Sequence, residues 1–146
     1  MNLLINIGAT DTKITRYEST NIDSENFSDN FKTHQLFSET YKSIVKIINE
    51  NNLTKNLENI IILSKGMVSR DRSDISKCAL FPDHAGKNIK SKFEQEFNVK
   101  AILEQNVLSG SLTELEENKD IKSYLYVHML EESGAAFVEP RENSIY

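Results

Sequence analysis

Between Phe81 and Leu115 the chain spells a loop, a helix, a strand and a second helix with nothing to spare between them. Pro82 and Gly86 punctuate the loop. Ile89, Phe93 and Phe97 recur at i, i+4 and i+8, which lays one apolar stripe on a helix predicted over 87–97. Asn98 ends it, because Asn tolerates the left-handed conformation in which helices often finish. Val99, Ala101, Ile102 and Leu103 form an apolar run of strand length, predicted over 99–103. Val107, Leu108, Leu112 and Leu115 then share one side of a helix predicted over 106–117. A helix, strand, helix run this tight asks for helices laid on a sheet, an α/β domain. Open α/β sheets place their ligand groups at the C-terminal ends of buried strands, so Glu104, Gln105 and Asn106 are the first candidates for chemistry.

The rest of the chain fits that scheme. Residues 2–8 read as a buried strand, Gly8 to Asp11 as a tight turn, and 12–18 as the second arm of a hairpin. The polar stretch Asn21–Asn30 is predicted to be a loop, with a third strand over 31–37. Ser38 is placed to cap a helix over 39–51 on which Tyr41, Ile44, Val45 and Ile48 form one apolar face. Ile60–Leu63 is the most hydrophobic run in the chain and predicts a strand over 59–64 buried on both faces. Residues 67–80 read as an irregular exposed loop, 123–130 as a strand of the same sheet, and Glu131–Gly134 as a turn into a last short strand. Early strands meander and later ones alternate with helices, so the sheet is expected to be mixed.

With 146 residues, 38% of them hydrophobic and 27% charged, there is enough for one core. The net charge of −5, with acids and bases interspersed, argues against a nucleic-acid partner. No apolar run approaches a membrane span, so no membrane is expected. The single Cys78 excludes an internal disulfide and suits a cytoplasmic location. His34, His84 and His128 are scattered without ligand spacing, so no metal site is expected.

Several motifs resemble the ROK (repressor, open reading frame, kinase) family of sugar kinases and regulators. L-F-P-D-H-A-G (80–86) is similar to its N-L-P-G-W-x-G loop. E-Q-E-F-N (94–98) resembles its helix ending, E-x-F-G, and E-Q-N-V-L-S-G-S-L-T-E (104–114) its E-N-D-A-N-A-A-A-L-G-E. N-I-G-A-T-D-T-K (6–13) resembles its D-I-G-G-T-K phosphate loop, and L-S-K-G-M-V (63–68) its V-P-G-P-V. The resemblance implies a ribonuclease-H-like lobe of the actin and hexokinase type, over 1–139 with a tail at 140–146, and Mg-ATP as cofactor of an active member. It also implies a phosphate loop at Asn6, Gly8, Ala9 and Thr10, and a sugar site built from Gly66, the 80–86 loop and 104–106.

The departures from that pattern fall on chemistry. Asn6 stands where the resemblance puts a metal-holding Asp, and a neutral amide is a weaker ligand for a hard cation. Asn106 stands where it puts the general base, and an amide cannot take a proton. Gly134 and Ala135 match a second phosphate loop, but Leu130, Glu131 and Glu132 replace its G-T-G, setting two carboxylates against a polyphosphate. Gln105 keeps the ability to bond a hydroxyl. Asp83 and His84 add polar groups to the loop, where a solvated pair is the commoner meaning.

The reading is therefore a single-lobe relative, whole or a fragment, that needs no cofactor and has lost kinase chemistry while keeping a sugar-binding, regulatory or interaction role. Substrate-binding candidates are Glu104, Gln105, Asn106, Gly66, Asp83 and His84. The alternative is a hexose or N-acetylhexosamine kinase lobe using ATP and completed by a second lobe. A third is an oligomerising module without ligand. A lone lobe exposes the face its second lobe would cover, so a homodimer or a partner protein is expected.

Overall fold

In the computed structural model, which describes residues 1–18, 21–117, 123–129 and 133–138, the run Ile60–Leu63 lies inside a strand of a five-stranded sheet. The chain divides into two compact units, Met1–Gln105 and Asn106–Tyr146. The first unit holds β1 (Asn2–Ile7), β2 (Asp11–Glu18), β3 (Asn21–Lys32), α1 (Phe37–Glu50), β4 (Asn59–Ser64), β5 (Met67–Val68), β6 (Ile75–Lys77), a single 3₁₀ turn (Pro82–His84), α2 (Ile89–Phe97) and β7 (Lys100–Gln105). The second holds α3 (Asn106–Glu117), β8 (Tyr124–Met129) and β9 (Ser133–Val138).

The sheet order is β3-β2-β1-β4-β7. β1–β2 and β2–β3 pair antiparallel, while β1–β4 and β4–β7 pair parallel, so the sheet is mixed, as expected. Leu3, Ile5 and Ile7 of β1, Ile60 and Ile62 of β4, and Ala101 and Leu103 of β7 point to one face. They join Phe37, Ile44 and Ile48 of α1 and Ile89 and Phe93 of α2 in one core, so both helices cover that face. Tyr41 ties the helices together, donating its hydroxyl to the Glu96 carboxylate at 3.2 Å and meeting Phe93 edge-on.

Several expectations need correction. Residues 21–32 form β3, not a loop followed by a strand at 31–37. Ladder bonds to β2 outweigh the weak strand propensity of Ser, Asp and Asn at the sheet's edge. Ser38 does not cap α1. The helix starts at Phe37, two residues before the expected 39, Leu36 occupies the cap position, and the first N–H, that of Phe37, is received by Asp83 Oδ2 at 2.9 Å. Residues 67–80 are not wholly irregular, because β5 and β6 pair as a short antiparallel hairpin. β4 is not buried on both faces: Ile60 and Ile62 are sealed, whereas Ile61 and Leu63 are half-buried. β8 does not join the main sheet; it pairs with β9 in a two-stranded sheet inside the second unit. Asn98 does end α2 in the left-handed conformation, at φ 52°.

Candidate functional site

Parallel pairing fixes what meets at the carboxyl edge of the sheet. Ile7 lies opposite Ser64, and Ser64 opposite Gln105, so β1, β4 and β7 stop on one line. The Gly8 turn and the Lys65–Gly66 turn leave from that line, and Gln105 closes it. On this row Gln105 shares the core-facing side with Ser64 and is half-buried. One residue back, Asn6, Leu63 and Glu104 form the matching row on the opposite face.

The Gly8 turn is held rigidly from within. Gly8 N–H donates to the Asp11 carbonyl at 3.0 Å, and a Cβ on Gly8 would lie 2.6 Å from that oxygen. The buried hydroxyls of Thr12 and Thr33 meet at 2.9 Å, and Thr33 Oγ1 donates to the Gly8 carbonyl at 3.1 Å. Thr33 N–H donates to the Thr10 carbonyl at 2.8 Å. The Gly8 amide, expected from the resemblance to be a phosphate-loop donor, is thus committed to the turn itself. Ala9 and Thr10 sit at its tip.

The Gly66 turn is equally specific. Gly66 has φ +102°, and a Cβ there would meet the Lys77 carbonyl at 2.5 Å, so only glycine fits where β5 closes on β6. The tip beyond it, Ser69–Asp74, is tied to the Asp71 carboxylate. Ser69 and Ser73 donate to it at 2.6 and 2.8 Å and hold its pKa down to about 2. That tip carries Arg72, a non-glycine residue at φ +55°. Its Nη1 reaches Glu104 Oε2 at 2.7 Å, while Glu104 Oε1 accepts the Gln105 N–H at 2.9 Å. Glu104 is 15% exposed and both its oxygens are engaged, which makes it a brace for the strand end rather than an open base.

Asp83 and His84 turn toward the start of α1. Asp83 accepts from Phe37 N–H and, at 3.0 Å, from Lys87 Nζ; the backbone donor first and the lysine next hold its carboxyl below the usual range. His84 is buried between Phe81, stacked at 4.9 Å, and the edge of Phe37, with Nε2 3.0 Å from the His34 carbonyl. Burial pushes its pKa below the ordinary histidine value, so the neutral ring donates from Nε2. Asp74 does for α2 what Asp83 does for α1, accepting from the N–H groups of Asn88 at 2.7 Å and Ile89 at 3.2 Å.

Asn106 is the first residue of α3 in the second unit. Gly134 and Ala135, which the resemblance puts in a second phosphate loop, lie in β9, opposite His128 and Val127. Leu130, Glu131 and Glu132 lie outside the described residues. Among the described residues no group of three or more His, Cys, Asp or Glu is placed to hold a metal, and no helix is long and apolar enough to cross a membrane. Sequence reasoning missed Arg72, Thr33 and Asp74. The alternating Ser and Asp of 69–74 is a turn signal that could have located the hairpin tip. Nothing in the sequence announces the reach of Arg72 to Glu104.

Comparison with known proteins bears on this geometry. No curated protein matches in sequence. The ROK family model matches residues 3–140. Among solved structures, the Lmo2764 protein of Listeria monocytogenes superposes with a TM-score of 0.79 at 14% identity, over 93% of this chain and 46% of that one. A ROK family transcriptional regulator, a homologue of the E. coli MLC protein, gives 0.77 at 12%, over 94% and 36%. A ROK family glucokinase from Streptomyces griseus, in complex with glucose and AMPPNP, gives 0.75 at 14%, over 93% and 43%. The chain therefore spans less than half the length of these structures. They share its α/β fold with a mixed sheet, of the actin and hexokinase type. The extent of the family match leaves one assignment, that this chain belongs to the ROK family.

Proposed function

We propose that the chain binds a sugar-like polyol at the carboxyl edge of its sheet, in the cytoplasm, and does not transfer phosphate. The carrying observation is the state of Glu104: its carboxylate braces Arg72 and the Gln105 N–H. With Glu104 so engaged and Asn106 unable to accept a proton, the strand end offers hydrogen-bonding groups suited to hydroxyls and no base for phosphoryl transfer. The Gly8 amide, spent on Asp11, points the same way. Superposable structures include both a glucokinase and a transcriptional regulator, so a non-catalytic role on this fold has company.

The test is an amide-shift titration of the labelled chain with glucose and N-acetylhexosamines, alongside an ADP-release assay with Mg-ATP. Shifts should fall on Ser64–Gly66 and Glu104–Gln105, with no ADP release. Gln105→Ala should weaken binding by about 1 kcal/mol, roughly fivefold. Asn106→Asp restores a titratable group but leaves Asn6 and the spent Gly8 amide in place, so turnover should stay absent. Shifts confined to other regions, or turnover with Asn106→Asp alone, would overturn the proposal. A second reading, a sugar kinase lobe completed by further polypeptide, rests on the chain's covering 43% of the glucokinase; ADP release on glucose that appears only when the chain is joined to a second lobe would establish it.

A further inference from the structure

Among the described residues, the positions other than glycine that take the left-handed backbone are Asn52, Asn56, Arg72, Asn88 and Asn98. Asparagine adopts this conformation at the least cost after glycine, which accounts for all of them but Arg72. At φ +55° an arginine raises the cost of the turn, and a half-exposed ion pair returns no more than that cost. Stability therefore gives no reason for arginine at this position. Strained residues of this kind gather where a protein meets its ligands. The tip that carries Arg72 is fixed on both sides. Ser69 N–H donates to the Asp74 carbonyl at 2.8 Å, Lys90 N–H donates to the Ser73 carbonyl at 3.2 Å, and the Asp74 carboxylate accepts the Asn88 N–H. The Arg72 side chain thus starts from an anchored base.

We propose that Arg72 makes the polyol site at the carboxyl edge selective for a sugar acid, a hexuronate whose carboxylate the guanidinium receives. The inference rests on the polyol reading above and adds the ligand's class to it. Arg72 meets Glu104 through Nη1, and Glu104 adjoins Gln105 at the end of β7, so the guanidinium lies at the rim of that edge. Its remaining N–H donors make no bond to any described residue, and the side chain is 51% exposed. Paired N–H groups along one side of the planar guanidinium run parallel, at the spacing a carboxylate bridges. Charge selects a carboxylate over a phosphate. Glu104 already balances Arg72, and the chain as a whole carries a net charge of −5. A monoanion shares the guanidinium with Glu104, whereas a phosphomonoester brings about two negative charges to the same place. A neutral hexose bonds the hydroxyl-binding groups of the edge and leaves the guanidinium unused.

NMR titration of the isotope-labelled chain with glucuronate, glucose and glucose 6-phosphate tests it, read on the Arg72 Nε–H signal and the Glu104 and Gln105 amides. Glucuronate should bind about tenfold more tightly than glucose, the worth of a charge-assisted hydrogen bond, and should move the Arg72 signal. Glucose should move the amides alone. Arg72→Asn puts the residue best suited to the left-handed turn in place of the guanidinium, so the fold should be kept. Glucuronate should then bind no more tightly than glucose, because the Glu104 carboxylate it leaves behind repels the ligand's own. Arg72→Lys keeps the charge without the fork and should lose most of the preference. Glucose and glucuronate bound equally by the wild type would overturn the inference and leave the polyol reading standing. So would tighter binding of glucose 6-phosphate than of glucuronate, or an undiminished preference in Arg72→Asn. Binding of none of these compounds would overturn both.

Discussion

Arg72 holds Glu104 at 2.7 Å, a hairpin tip clasping the end of an edge strand thirty-two residues further along the chain. Arg72 is half exposed and Glu104 nearly buried, so the pair lies between the surface and interior cases. Arg72→Ala should destabilise the fold by about 1 kcal/mol in urea titrations. Glu104→Gln keeps an acceptor for the Gln105 N–H and should cost less. The double variant should lose less than the sum, because both changes remove the same contact. Strict additivity would show that the contact carries no coupling.

Asp83 should act as the cap of α1 in solution. Asp83→Ala should lower the melting temperature by a few degrees and speed amide exchange at Phe37, whereas Asp83→Asn should do so less. The folded-state pKa of Asp83 is lowered, first by the Phe37 N–H and then by Lys87. Its contribution is therefore complete above the ordinary carboxylate value near 3.8 and disappears as pH falls through the lower folded value. A pH titration of stability should show the wild type losing more than Asp83→Ala in that acid window.

His84 sets a second window. Burial lowers its folded pKa beneath 6.5, so the neutral ring supports the fold fully above that value, and the support declines as pH falls below it toward the folded pKa. The urea midpoint should drop between pH 7.5 and 5, and His84→Phe, which cannot titrate, should flatten that drop. An unchanged slope in the variant would place the titrating group elsewhere.

Gly66→Ala should be among the most damaging single-methyl additions. It sets a side chain at φ +102° and 2.5 Å from the Lys77 carbonyl, a cost of roughly 1–3 kcal/mol. Gly86 also has a positive φ, 71°, but open space around it, so Gly86→Ala should cost less. Equal losses in chemical denaturation would mean that the backbone angle alone decides.

How much of this was written in the sequence depends on the kind of signal. Periodicity located α2, β4, β7 and α3 because apolar side chains must share a face, and that requirement is local. β3 escaped because an edge strand made of Ser, Asp and Asn is recruited by β2's unpaired ladder, not by its own side chains. The cap of α1 escaped because Ser38 is a good local candidate while the group that arrives, Asp83, lies 46 positions away. At the carboxyl edge, candidate identities could be read from residue type, but whether Glu104 was available could not. That depended on Arg72, whose place is set by the Ser69–Asp71–Ser73 turn.

The two borrowed carboxylates, Asp83 for α1 and Asp74 for α2, have a consequence for the chain as it leaves the ribosome. The residues of α1 emerge long before Asp83, so a nascent chain of some sixty residues holds an unfinished helix beside β1, β2 and β3, with β4 incomplete and β7 still to come. When Lys100–Gln105 arrives, β7 closes on β4, and the loop between them has already delivered both capping acids. Synthesis should then bring little stable order until about residue 105, followed by folding of the first unit in one step. A slow stretch of translation before that point would leave one edge of the apolar run Ile60–Leu63 unpaired, waiting for its second parallel partner.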